Sequence, residues 1–119
     1  MLLVDDEETI RTLGARMLAA LGFKVLTAAD GCEALAVYAQ HRDEIRLVLL
    51  DLTMPHMDGE EAFRELRLID PEVRVVMSSG YTENGITARF AGKGLVGFVQ
   101  KPYSLAELAE KLRVALAPR

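Results

Sequence analysis

The sequence predicts a doubly wound α/β fold, a single five-stranded parallel sheet with five helices on its two faces, and three observations carry that expectation. Short apolar runs alternate with segments of helical periodicity from one end of the chain to the other, as repeated βα units require. The run Leu47-Val48-Leu49-Leu50 has no polar alternation, so it reads as a central strand covered on both faces. Each run also stops at an acidic, hydroxyl or amine side chain: Asp5 and Asp6 after Leu2-Leu3-Val4, Asp51 after Leu50, Ser79 after Val75 to Ser78, and Lys101 after Val96 to Gln100.

The first strand is Leu2 to Val4, after which Ile10, Leu13, Gly14, Met17, Leu18 and Leu21 recur at helical spacing until Gly22 ends the first helix. Lys24 to Ala28 is the second strand. Asp30 followed by Glu33 marks a helix start, with Asp30 capping orphan amides and Glu33 reaching back; this helix carries Ala34, Leu35, Tyr38 and Ala39 inward and ends near His41. After the central strand, the turn-rich stretch Thr53 to Gly59 leads to a third helix that buries Ala62, Phe63, Leu66 and Ile69 and stops at Asp70-Pro71. Val73 to Ser78 is the fourth strand. Glu83 to Gly92 is the weakest helix, because Gly85, Ile86 and Thr87 all lower propensity. Leu95 to Gln100 is the fifth strand, and Ser104-Leu105-Ala106-Glu107 is a capping box ahead of a helix burying Leu108, Ala109, Leu112, Ala115 and Leu116.

Right-handed crossovers with one reversal of direction give the flavodoxin-like strand order 2-1-3-4-5. The carboxyl ends of parallel strands then share one edge, and the strand-end residues face a common crevice with Asp5 and Asp6 close to Asp51.

Composition narrows the function. The 119 residues fit one domain, and with half of them hydrophobic the chain can bury a sizeable core. A formal charge of -4 with scattered basic residues, and 6% aromatics with no Trp, offers neither a phosphate-binding stripe nor a base-stacking platform, so direct nucleic-acid binding is not expected. Cys32, the one cysteine, precludes an internal disulfide and reads as a small core filler in a reducing compartment. No stretch reaches membrane-spanning length, which points to a cytoplasmic domain.

Like charges about 4 Å apart repel by roughly 4 kcal/mol at an effective dielectric of about 20, so Asp5, Asp6 and Asp51 need a cation or a proton. An all-oxygen donor set suits Mg²⁺, while His41 and His56 lack ligand spacing and read as surface residues. With a divalent ion held by the Asp5-Asp6 pair, Asp51 at the end of the central strand is the best candidate for a carboxylate nucleophile toward phosphorus. Phosphoryl transfer needs charge compensation on the equatorial oxygens, which Lys101 and Ser79 can supply. Taken singly, Lys101 reads as a solvated strand-end lysine, Ser79 as a turn hydroxyl and Asp58 as a helix cap; their joint order favours the phosphoryl site.

The stretches Leu3-Val4-Asp5-Asp6-Glu7, Asp51-Leu52-Thr53-Met54-Pro55-His56-Met57-Asp58-Gly59, Ser78-Ser79-Gly80-Tyr81 and Gly97-Phe98-Val99-Gln100-Lys101-Pro102-Tyr103 resemble the receiver domain of bacterial response regulators and hybrid histidine kinases. The resemblance covers essentially the whole chain. It implies a phosphoacceptor rather than an enzyme, with Asp51 taking a phosphoryl group from a histidine kinase or histidine phosphotransfer domain and the chain assisting its own phosphorylation and dephosphorylation. It further implies Mg²⁺ held by Asp6, Asp51 and the Thr53 carbonyl, with Asp5 acting through a metal-bound water, Ser79 and Lys101 on the phosphoryl oxygens, and a cis peptide bond before Pro102. Ser79 and Phe98 would form the switch, and the output face would be the fourth helix, fifth strand and fifth helix, which also offers a surface for a weak dimer. Departures are mild: Ser79 where many members have Thr, Gly80 where Ala is common, and Phe98 where Tyr also occurs. Thr53 and Tyr81 flank the nucleophile and the switch hydroxyl, where they would govern attack of water on the acyl phosphate.

Three other readings compete. A phosphatase with an Asp nucleophile usually needs a second acid two residues on, and that position is Thr53. A receiver-like module that only binds partners is disfavoured by the full set of phosphorylation residues. A flavin or nucleotide binder lacks its Gly-rich loop after the first strand.

Overall fold

The order in which strands are added reverses between the first and third strands, and the site follows from that switch point. In the computed structural model, which describes residues 1–54, 57–80 and 95–117, the strands are β1 (Leu2–Val4), β2 (Leu26–Ala28), β3 (Val48–Asp51), β4 (Val75–Ser79) and β5 (Gly97–Gln100). They form one parallel sheet in the order β2-β1-β3-β4-β5, as the sequence predicts.

The helices are α1 (Glu8–Ala20), α2 (Gly31–His41), α3 (Gly59–Ile69) and the C-terminal α4 (Leu105–Ala115). Alternate side chains of each strand go to opposite faces, which splits the core in two. Leu2, Val4, Leu50, Met77 and Phe98 pack with Ala34 and Tyr38 of α2 and Phe63 and Leu66 of α3. Leu3, Leu49, Val76 and Val99 pack with Leu18 of α1 and Leu108 and Leu112 of α4. Every residue of β3 is buried, because helices cover it on both sides.

Caps fix where the helices begin. Asp30 accepts the Glu33 N–H at 2.8 Å, while the Glu33 carboxylate reaches the Ala29 N–H at 3.3 Å, one residue farther back than the capping pattern requires. Asp58 caps α3 through the Glu61 N–H at 2.9 Å, and Ser104 and Glu107 form the expected reciprocal box. The N-cap position of α1, Glu7, has no side-chain cap; its own N–H instead donates to Asp5 Oδ1 at 2.9 Å.

Several boundaries and orientations differ from the sequence expectation. The predicted helix from Glu83 to Gly92 lies outside the described residues, and so does Tyr81. β2 begins at Leu26 and β5 at Gly97, and β4 extends to Ser79, so that hydroxyl belongs to the strand rather than following it. Cys32 is exposed and not a core filler, and Ala39 is exposed as well. The buried stripe of α2 runs through Gly31, Ala34 and Tyr38, and the next residue along a helix turns about 100° away, which carries Cys32 and Ala39 off it. Leu13, one residue off the Gly14–Leu18 stripe of α1, is 50% exposed for the same reason. Among the described residues no helix is long and apolar enough to cross a membrane.

Candidate functional site

Neighbouring strand ends deliver acidic and basic side chains to one edge of the sheet. Val4 pairs with Leu50 in the β1–β3 ladder, so Asp5, the next residue of one chain segment, sits beside Asp51, the last of the other. Ser79 pairs with Gln100, and the Lys101 N–H extends that ladder to the Ser79 carbonyl at 2.7 Å. The Lys101-Pro102 peptide is cis.

Lys101 Nζ donates to Asp5 Oδ2 at 2.7 Å and lies 3.3 Å from Asp51 Oδ2. Asp5 and Asp51 are 2% and 4% exposed, whereas Asp6 turns to solvent at the rim. One carboxylate oxygen from each of Asp5, Asp6 and Asp51 falls within 4.8 Å of the others. The two buried acids are held differently. Asp5 is anchored by the Glu7 N–H on Oδ1 and by the Arg11 guanidinium, which donates to its carbonyl at 2.8 Å. Among the described residues, Asp51 Oδ1 accepts only a longer bond, 3.3 Å, from the Thr53 N–H.

Electrostatics follow from this packing. Burial pushes the Asp51 carboxyl up to about 6; Lys101 opposes that rise and the Asp5 charge adds to it. Burial works against the Lys101 ammonium, but its bond to Asp5 and the charges of Asp51 and Asp5 outweigh burial, and its pKa is raised. Three carboxylates gather around one ammonium among the described residues, so net negative charge remains at this edge of the sheet. With oxygen donors alone and no sulfur or imidazole, the cluster fits a hard divalent cation that keeps part of its water shell.

Thr53, Ser79 and Phe98 lie on the strands and the loop that flank this cluster. Thr53 is exposed at the rim, two residues past Asp51. Phe98 is buried, pairs with Met77 and packs in the core on the α2–α3 side. Strand alternation gives Ser79 the same side as Met77 and Phe98, which places the hydroxyl and the aromatic on one face. His41 is far from the cluster, its Nδ1 2.8 Å from Glu44 Oε2 at the end of α2, and His56 lies outside the described residues.

Sequence reasoning missed the surroundings of Lys101. A cavity of about 270 Å³ lies between Ile10, Leu13 and Met17 of α1 and the Lys101–Tyr103 segment. Gly14 makes that approach close, since a Cβ there would meet Leu3 Cδ2 at 3.0 Å and the Tyr103 hydroxyl at 3.3 Å. Leu13, out of place as a core residue, lines this groove. Ile10, Leu13, Gly14 and Met17 share one helical stripe in the sequence, which reads as core-facing and gives no sign that it borders a groove.

A family model for the response regulator receiver domain matches residues 1–113. The sensor kinase CckA of Brucella abortus is 37% identical over 116 residues, an alignment spanning 98% of this chain and 12% of the kinase. The chemotaxis protein CheY of Listeria monocytogenes is 34% identical over 116 residues, spanning 97% of this chain and 96% of CheY. Among solved structures, the CheX-CheY-BeF3-Mg²⁺ complex of Borrelia burgdorferi superimposes with a TM-score of 0.92 at 30% identity, covering 98% of this chain and 88% of the matched one. The strand order, the acid–lysine edge and a match over nearly the full length converge on one conclusion: the chain belongs to the response regulator receiver domain family.

Proposed function

We propose that the chain is a phosphoacceptor switch of a two-component relay, with Asp51 accepting a phosphoryl group from a phosphohistidine on a histidine kinase or histidine phosphotransfer domain. The observation that carries this reading is the Lys101 ammonium seated between Asp5 and Asp51 at the carboxyl edge of the sheet. An Asp51 oxygen forms the bond to phosphorus while the phosphorus–nitrogen bond breaks, and the imidazole leaves with the electron pair and takes up a proton. Asp6, Asp51 and the Thr53 carbonyl would hold Mg²⁺, with Asp5 behind a water, and the ion supplies charge neutralisation on the phosphoryl oxygens when bound.

Each side chain has its own task. Lys101 already points at an Asp51 oxygen, so it meets the incoming phosphoryl oxygens with little reorganisation. Ser79 donates its hydroxyl to another, and its shared face with Phe98 supports a coupled movement in which the ring fills the space the hydroxyl vacates. Shifting such an equilibrium from 1:99 to 99:1 takes about 5.5 kcal/mol, within reach of a few charge-assisted bonds. The apolar groove beside Lys101 is suited to the phosphodonor partner, because it borders the nucleophile's own lysine and is lined by exposed Leu13 and half-buried Ile10 and Met17 of α1. The reading places the domain in the cytoplasm, as a signalling switch that assists its own phosphorylation and dephosphorylation.

Intact-mass measurement after incubation with a small phosphodonor and Mg²⁺ tests it. The native chain gains one phosphoryl group and Asp51→Asn gains none; equal labelling of both removes Asp51 as the acceptor.

A further inference from the structure

Gly59 opens α3 and is buried against the strand that carries Asp51. Its N–H donates to the Leu52 carbonyl at 2.8 Å. A Cβ at this position would lie 2.5 Å from the Asp51 carbonyl oxygen and 2.6 Å from Leu52 Cα, against 3.4 Å for ordinary contact. Both neighbours are backbone atoms, and neither can swing aside as a side-chain tip would. Asp51 pairs with Ser78 and the Leu52 N–H donates to the Ser78 carbonyl at 2.9 Å, so the strand end is tied into the sheet. The helix must give way instead, by most of an ångström.

Gly31 does similar work from the other side. It opens α2, and a Cβ there would come within 2.9 Å of the Met57 side chain, two residues ahead of Gly59. Among the described residues only Gly22 has a positive φ, so Gly31 and Gly59 serve for the space they leave and not for unusual backbone angles. Two positions without side chains therefore seat the connection from β3 to α3, the same connection whose Thr53 N–H holds Asp51 Oδ1.

We propose that Gly59 is a positioning residue for the cation at Asp51: the missing Cβ lets the first turn of α3 rest on the Asp51–Leu52 peptide, which fixes the Asp51 carboxylate and the Thr53 carbonyl relative to Asp6. The proposal rests on the reading of this edge as a Mg²⁺ and phosphoryl site. Groups that orient a metal ligand without touching the metal typically carry about 10- to 100-fold in affinity, which sets the expected size.

The experiment is a Mg²⁺ titration followed by NMR or fluorescence on the native chain, Gly59→Ala and Leu112→Ala, with the unfolding midpoint of each measured in chelator. Leu112 lies in the opposite core and serves as the stability control. Gly59→Ala is expected to weaken Mg²⁺ binding by at least about tenfold while Leu112→Ala, though less stable, binds within about twofold of the native chain. Equal affinity in Gly59→Ala and the native chain overturns the proposal and leaves the phosphoacceptor reading standing. No Mg²⁺ binding by the native chain removes both. If Gly59→Ala does not fold, Gly31→Ala decides, since it presses on the same connection through Met57: weakened Mg²⁺ binding supports the positioning role and unchanged binding overturns it.

Discussion

Replacing Asp51 by Asn should make the metal-free protein more stable, and by an amount that depends on pH. The Asp51 carboxyl is pushed up to about 6 in the folded protein from an ordinary 3.8. Below pH 3.8 the group is protonated in both states and contributes nothing. As pH rises from there the unfolded chain releases its proton first, so stability falls until the folded carboxyl also ionises, near 6. A shift of about two units corresponds to about 3 kcal/mol, which is the full penalty for the buried carboxylate above pH ~6.5 and falls to about 1 kcal/mol near pH ~4.5. Asn keeps the shape and lacks the charge. Urea unfolding in chelator should therefore show Asp51→Asn more stable by up to about 3 kcal/mol near pH 7.5, with most of the gap closing by pH ~4.5. Adding Mg²⁺ should narrow the gap near pH 7.5, because a ligand bound only by the folded native chain stabilises it by about 1.4 kcal/mol at ten times its dissociation constant. A variant no more stable than the native chain near neutral pH, or a gap that does not change with pH, would refute the account of Asp51 as an under-compensated buried acid.

Lys101→Met leaves Asp5 and Asp51 buried without their cation and should cost about 3 kcal/mol near neutral pH, with a smaller loss in acid as Asp51 protonates; a loss independent of pH in chemical denaturation would contradict the pairing. Tyr38→Phe removes the bond from the Tyr38 hydroxyl to Asp70 Oδ2, 2.7 Å, that ties α2 to the end of α3. Its expected cost is about 1 kcal/mol in thermal or urea unfolding with Mg²⁺ affinity unchanged, because Asp70 keeps the Glu72 N–H and Arg42. Arg74 donates to the Ala115 and Ala117 carbonyls at the end of α4, and Arg74→Ala should cost about 1 to 2 kcal/mol and raise amide exchange in the last turn of that helix. Unchanged exchange there would count against this cap.

The strand order and the gathering of the acids and Lys101 at one sheet edge were legible because both depend on features read along one dimension. An unbroken apolar run such as Leu47 to Leu50 has only one comfortable place, the middle of a covered parallel sheet, and the residue after each run then lands on the carboxyl edge. What escaped depends on rotation and on packing between distant segments. Periodicity in α1 and α2 gives the width of the apolar stripe but not its phase to within one residue, and Leu13, Cys32 and Ala39 were lost in that margin. The double acid Asp5-Asp6 shows no sign in sequence of which member turns inward. Alternation after Leu3 decides it: Asp5 goes under Lys101, and Asp6 is left at the rim. The tightness at Gly59 is likewise invisible, since glycine before a helix reads as ordinary punctuation until the Asp51–Leu52 backbone is found pressed against it.

Stability and function pull against each other at this edge, and the geometry shows where. Asp5 is satisfied in the metal-free protein: it has the Lys101 ammonium and the Glu7 amide. Asp51 has a more distant claim on the same lysine and a long bond from Thr53, so the unrelieved charge is concentrated on one carboxylate. Burial of that charge, with a smaller contribution from Asp5, lowers folding stability, and on the proposed reading a cation would relieve it on binding, so part of what the fold forgoes would return as affinity. A better-paired Asp51 would give a sturdier domain and a poorer cation site. Lys101 cannot be strengthened at Asp51 without loosening Asp5, because one ammonium serves both, and Asp5 also holds the first turn of α1 through Glu7 and Arg11. The arrangement therefore leaves Asp51 as the least compensated buried acid of the cluster, and on the phosphoacceptor reading that is the condition under which a divalent ion, and then a phosphoryl group, would find the largest electrostatic return.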